Sequence, residues 1–132
     1  MINQETIIAL ATPNGLGAIS VIRISGSNAI SITEKVFKPK GNKKLSNQKS
    51  HTVHLGHLIK NEHELDEVLI TLFKGPNSYT GEDTIEISCH GSTFIQQEII
   101  DLFIDKGIRV ANPGEFTSVS YTHLRAHETV DY

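Results

Sequence analysis

A turn-rich run, Gly75-Pro76-Asn77-Ser78-Tyr79-Thr80-Gly81-Glu82-Asp83, opens directly into Thr84-Ile85-Glu86-Ile87-Ser88-Cys89-His90. Alternation of period two fits a strand, whose successive side chains point to opposite faces. The strand therefore presents Glu86, Ser88 and His90 on one side. A carboxylate at mid-strand beside a Gly-Pro-Asn loop is odd for plain architecture and natural for a ligand site.

The remaining chain supplies a sheet for that strand. Residues 6–11, Thr-Ile-Ile-Ala-Leu-Ala, are apolar and β-branched and stop at Pro13, which reads as a strand buried on both faces. Pro13-Asn14-Gly15-Leu16-Gly17 is a turn cluster. In the strand over 18–24, Ile19, Val21 and Arg23 share one face and Ser20, Ile22 and Ile24 the other. Ser25-Gly26-Ser27 offers N-cap hydroxyls for a helix through Phe37, with Ile30, Thr33, Val36 and Phe37 at helical spacing and Pro39 as its stop. Residues 38–50, with five lysines, read as a mobile, solvated connector. Strands are expected over 51–59 and 65–73, turned by Asn61-Glu62-His63-Glu64. Thr93-Phe94-Ile95-Gln96 matches a capping box for a helix that buries Ile95, Ile99, Leu102 and Phe103, runs to Lys106 and ends at Gly107. Ile108-Arg109-Val110 is a last short strand. The order β-β-α-β-β-β-α-β predicts an α+β fold, a mostly antiparallel sheet with two packed helices.

Bulk properties remove whole classes. The 132 residues make one domain the default. A net charge of −3 argues against a nucleic-acid module working alone. Cys89 is the single cysteine, which leaves no internal disulfide and no multi-cysteine zinc site, and fits a reducing, cytoplasmic setting. No apolar run is long enough for a membrane span, and the N-terminus lacks signal-peptide character.

Gly15-Leu16-Gly17 precedes a strand instead of following one and lacks a third glycine, so it is no dinucleotide fingerprint. No G-x-x-x-x-G-K-[ST] run occurs in these residues. His51, His54 and His57 are three apart, a spacing that sends strand side chains to alternate faces, and they read as surface histidines. Cys89 reads as a buried structural thiol. Arg23 and Glu86 are the strongest pair. They suit a mutual salt bridge, worth little if exposed, and equally a divided clamp on a ligand, with the carboxylate accepting from an amidine-like edge.

Three segments carry a resemblance. They are residues 6–26, holding Thr-Ile-Ile-Ala-Leu-Ala-Thr-Pro, Gly15-Leu16-Gly17-Ala18 and Ile22-Arg23-Ile24-Ser25-Gly26, then residues 75–91, then Ala111-Asn112-Pro113-Gly114-Glu115-Phe116-Thr117. In order and spacing they resemble the N-terminal domain of the MnmE/TrmE family of tRNA-modifying GTPases, with Leu16 departing from a usually basic position. The resemblance implies a domain at 1–117 like half of the folate-binding domain of aminomethyltransferases. It implies a homodimer whose pairing completes a site for 5-formyltetrahydrofolate or another one-carbon tetrahydrofolate, with Arg23 and Glu86 at folate-contacting positions. The parent protein would modify carbon 5 of the wobble uridine of tRNA with an MnmG/GidA-type flavoprotein. Its GTP, potassium and magnesium would belong to a GTPase domain outside this sequence. Residues 118–132 lack the family's continuation, including its folate-contacting lysine, and read as a frayed, extraneous tail. The competing expectation is a dimerisation or adaptor module that has lost its ligand.

Overall fold

The computed structural model describes residues 5–12, 18–76, 78 and 80–116. The expected turn at 13–17 and the expected tail at 118–132 lie outside the described residues. Strands β1 (Ile7–Leu10), β2 (Ile19–Ser25), β3 (Phe37–Pro39), β4 (Thr52–Lys60), β5 (His63–Phe73), β6 (Thr84–His90) and β7 (Arg109–Val110) form one sheet in the order β3-β4-β5-β6-β2-β1-β7. Every neighbouring pair is antiparallel except β1 with β7. Helices α1 (Ala29–Val36) and α2 (Thr93–Ile104) complete the α+β architecture.

Register explains the layering, because directly paired residues of an antiparallel ladder share a face. One row joins Ile24, Ile85 and Leu72, and the next joins Leu10, Ile22, Ile87 and Ile70. Apart from the half-buried Leu10 these residues have no exposed surface, and they form one cluster with Ile30 and Val36 of α1 and Ile99, Leu102 and Phe103 of α2. Each such isoleucine or leucine contributes about 1.5–3 kcal/mol by leaving water. Both helices therefore cover this face. The opposite face carries Ala9, Arg23, Glu86 and Thr71 in one row and Val21, Ser88, Leu69 and Leu55 in the next. Neither α1 nor α2 covers it, and among the described residues Ile19, Val53, Leu55 and Leu69 stand exposed there. The expected split of β2, with Ser20, Ile22 and Ile24 inward and Ile19, Val21 and Arg23 on the other side, is what the register gives.

Several local expectations are corrected. The first helix ends at Val36, and Phe37 begins an edge strand against β4, pairing with Leu58. Pro39 is compatible there because an edge strand leaves one row of amides unpaired. The segment 38–50 is not a free connector: Leu45 is buried in the core, and Ser46 donates from both its amide and its hydroxyl to Glu34, each at 2.9 Å. No hydroxyl of Ser25 or Ser27 caps α1, whose N-cap residue is Asn28 and makes no side-chain cap. Its amide donates instead to Thr6 Oγ1 at 3.1 Å. The second helix is capped by Ser92, which accepts from the Ile95 amide at 3.1 Å, not by Thr93. Gln96 turns inward and donates to Ser20 Oγ at 2.5 Å, so the capping box does not form. That helix ends at Ile104, and Gly107, at φ +93°, closes the turn beyond it. The β4–β5 hairpin turns on two residues, Asn61 and Glu62, both at positive φ.

Candidate functional site

Arg23 of β2 and Glu86 of β6 are direct cross-strand partners on the open face. Arg23 donates to Glu86 Oε2 from Nε at 2.9 Å, and its Nη2 lies 2.8 Å from the same oxygen. Each side chain keeps 25% of its surface exposed. Both contacts fall on Oε2, and Oε1 has no partner among the described residues. The sequence left two readings of this pair open, and the mutual salt bridge is present. Ser88 and His90 share the face, and His90 is drawn to the end of the sheet, where Asp66 meets its ring Nδ1 at 2.7 Å and its amide at 3.0 Å.

A cleft of about 600 Å³ opens beside Arg23. Its floor is Ala9 to Ala11 and Arg23, and its far wall is the segment from Ala111 to Gly114 together with Phe116. Small side chains on β1 make the room: Ala9 lies directly beside Arg23, and a larger residue there would fill the space. The Phe116 ring stands over the guanidinium, 5.8 Å from Arg23 Cζ to the ring centroid. The wall is held by charge. Arg109 on β7 grips Glu115 through two parallel bonds, Nη1 to Oε1 at 2.9 Å and Nη2 to Oε2 at 2.5 Å. Glu115 Oε1 also accepts from the Asn112 amide at 2.8 Å. The Arg109 hydrogen bond first, with the Asn112 amide and the Arg109 charge helping against burial, holds the Glu115 carboxyl below the ordinary carboxylate range.

Residues 80–83 of the loop before β6 pack against one end of the open face. The hydroxyls of Ser25, Thr80 and Thr84, all fully buried, bond one another, with Ser25 to Thr80 at 2.6 Å and Thr80 to Thr84 at 3.1 Å. The Gly26 amide donates to the Asp83 carbonyl at 3.0 Å, and the Gly75 amide to Asp83 Oδ1 at 2.9 Å. Ser25, read from sequence as a helix cap, thus anchors this loop to β2.

The other candidates fall apart as chemistry. His51 meets Phe73 edge-on, His54 bonds Thr52 Oγ1 at 2.8 Å, and His57 lies beside Glu64 and Glu67. Among the described residues no group of three or more His, Cys, Asp or Glu could hold a metal ion. Cys89 is buried, and burial with the nearby Asp66 carboxylate pushes its thiol up to about 11, the wrong direction for a nucleophile. Sequence reasoning missed Phe116, Arg109 and Glu115 as parts of the site. Their signal was a turn cluster, Asn112-Pro113-Gly114, between an arginine and a glutamate six residues apart.

The fold and its site define a class: a two-layer α+β domain whose sheet leaves one face open, with an arginine–carboxylate pair beside a cleft on that face. A sequence model described as "GTP-binding protein TrmE N-terminus" matches residues 6–125, and the chain belongs to that family. It is 67% identical over 117 residues to the tRNA modification GTPase MnmE of Flavobacterium johnsoniae, a match covering 89% of this chain and 25% of the relative. It is 51% identical over 120 residues to the protein of the same name from Bacteroides thetaiotaomicron, covering 90% of this chain and 26% of the relative. The chain thus spans about a quarter of the length of these curated relatives.

Proposed function

We propose that this domain binds a one-carbon tetrahydrofolate, such as the 5-formyl form, at the open sheet face, and that it dimerises there as part of a tRNA-modifying GTPase. The observation that carries the reading is the Arg23–Glu86 pair beside a cleft of about 600 Å³, within the size range of small-molecule sites. Glu86 supplies an acceptor for a pterin N–H and amino edge, and Arg23 a fork of donors for polar atoms of the folate. The exposed Ile19, Val53, Leu55 and Leu69 favour a second copy on the same face. On this reading GTP, potassium and magnesium would be met by a GTPase segment of the larger protein; these residues hold no phosphate-binding G-x-x-x-x-G-K-[ST] run. The tRNA wobble uridine and an MnmG/GidA-type flavoprotein would be met by that larger protein, in the cytoplasm. No helix among the described residues is long and apolar enough to cross a membrane.

Thermal unfolding with 5-formyltetrahydrofolate, alongside light scattering, tests this. A ligand bound by the native state alone at a hundredfold excess over its Kd stabilises by about 2.7 kcal/mol. A dimer with no folate-induced shift would favour the ligand-free adaptor reading, and a strict monomer would remove both.

A further inference from the structure

We propose that Arg109 and Glu115 are positioning residues: their ion pair latches the 111–116 segment against the sheet and so builds the wall of the Arg23 cleft. The inference rests on the folate reading for its ligand, but its geometry stands apart from it. Strand β7 is two residues long and pairs with β1 alone, and the bonds that flank that short ladder run from the Arg109 amide to the Thr6 carbonyl at 3.2 Å and from the Ala111 amide to the Ile8 carbonyl at 2.8 Å. Over residues 112–116 no ladder continues. The chain turns back through Asn112-Pro113-Gly114, where the Glu115 amide donates to the Asn112 carbonyl at 3.0 Å. A turn this short, carrying the Phe116 ring over Arg23, needs an anchor.

The Glu115 carboxylate is that anchor. It takes both terminal nitrogens of Arg109 and the Asn112 amide, so one side chain fixes the turn to β7 and closes the turn on itself. Arg109 is steadied in turn by Nε donating to Glu5 Oε2 at 3.2 Å. Fork-to-carboxylate pairs fix direction as well as distance, which a point charge cannot do. Glu115 itself does not line the cleft, whereas its neighbours Gly114 and Phe116 do. It therefore acts through them, by setting the fraction of molecules whose wall is in place. Apparent affinity falls in proportion to that fraction.

The chain has no tryptophan, so Phe116→Trp installs a single emitter on the wall. In that background Glu115→Gln and, separately, Arg109→Lys should red-shift the emission and increase acrylamide quenching. In the Phe116 chain the same two substitutions should weaken 5-formyltetrahydrofolate binding by about tenfold, the loss expected if the closed wall falls to about a tenth of molecules. The double variant should be no worse than the single ones, because each single change already breaks the same fork. Additive losses, or unchanged emission and affinity in both single variants, would overturn the latch. If the unaltered chain does not bind the folate, the ligand reading fails, and the emission arm still decides whether the pair holds the wall.

Discussion

Replacing Glu86 with glutamine separates what the Arg23 ion pair does for folding from what it does for a ligand. The two charges sit in contact, at 2.8 and 2.9 Å between nitrogen and oxygen. At about 4 Å between charge centres and an effective dielectric near 20, their attraction is about 4 kcal/mol. Desolvation and ordering of two long side chains offset most of it. Exposed pairs measure roughly 0.2–1 kcal/mol, whereas breaking a fully buried pair costs about 3–5 kcal/mol. With a quarter of each side chain in water, and with glutamine keeping one acceptor oxygen, the stability loss should be about 1 kcal/mol. For a domain of this size that lowers Tm by roughly 3–6 °C. Binding should suffer more. Oε2 already serves Arg23, so glutamine would keep its oxygen there and turn its NH2 toward the pterin edge that Oε1 accepts from, which places N–H against N–H. Losing one side of a buried charged contact costs roughly 2–5 kcal/mol, and discounting for partial exposure still leaves at least about 1.4 kcal/mol, or tenfold. Isothermal calorimetry with 5-formyltetrahydrofolate and a thermal melt on the same sample give both numbers. A lowered Tm with unchanged affinity would show that Glu86 serves Arg23 alone and would remove it from the site.

Other perturbations test the frame around the site. Gly56→Ala should cost about 1–3 kcal/mol in urea unfolding, because a Cβ there would sit 2.4 Å from the Lys38 carbonyl and 2.5 Å from Phe37 Cζ; an unchanged midpoint would mean the β3 edge is not packed as described. Glu62→Gly should stabilise the fold by about 0.5–1 kcal/mol in the same assay, since Glu62 holds φ +68° in a two-residue turn that favours glycine, and a loss would show that the Glu62 side chain matters more than its backbone. Cys89 should react with a thiol reagent at pH 8 at least about 100-fold more slowly in the native chain than in urea, because it is buried and its thiol is pushed up to about 11; equal rates would refute its burial.

Much of the architecture is readable from periodicity. The alternation in residues 19–25 and 84–90 set both the strand assignment and the face, so Arg23 and Glu86 could each be placed on a strand face, whereas their sharing one row follows only from the β2–β6 pairing. What failed was local chemistry overruled by tertiary partners. Phe37 suits the apolar stripe of a helix and also an edge strand, and only its pairing with Leu58 decides between them. Ser25 has the residue type of a cap, yet the buried hydroxyls of Thr80 and Thr84 compete for it across more than fifty residues of sequence. Gln96 looked like the second half of a capping box, and Ser20 on a distant strand takes its amide. The cleft was the least legible part. Arg23 was visible, but its companions Phe116 and Glu115 come from a turn whose fold-back depends on an arginine placed by the parallel pairing of β7 with β1.

The position of β1 between β2 and β7 has a consequence for synthesis on the ribosome. The amino-terminal strand can zip onto β2 as soon as that hairpin emerges, but its other edge stays bare until residues 109–110 leave the exit tunnel. Until then the nascent polypeptide carries an unclosed seam on this sheet, and the contacts that close it are those that raise the wall of the Arg23 cleft. The cleft is thus walled only by the part of this sheet that is synthesised last.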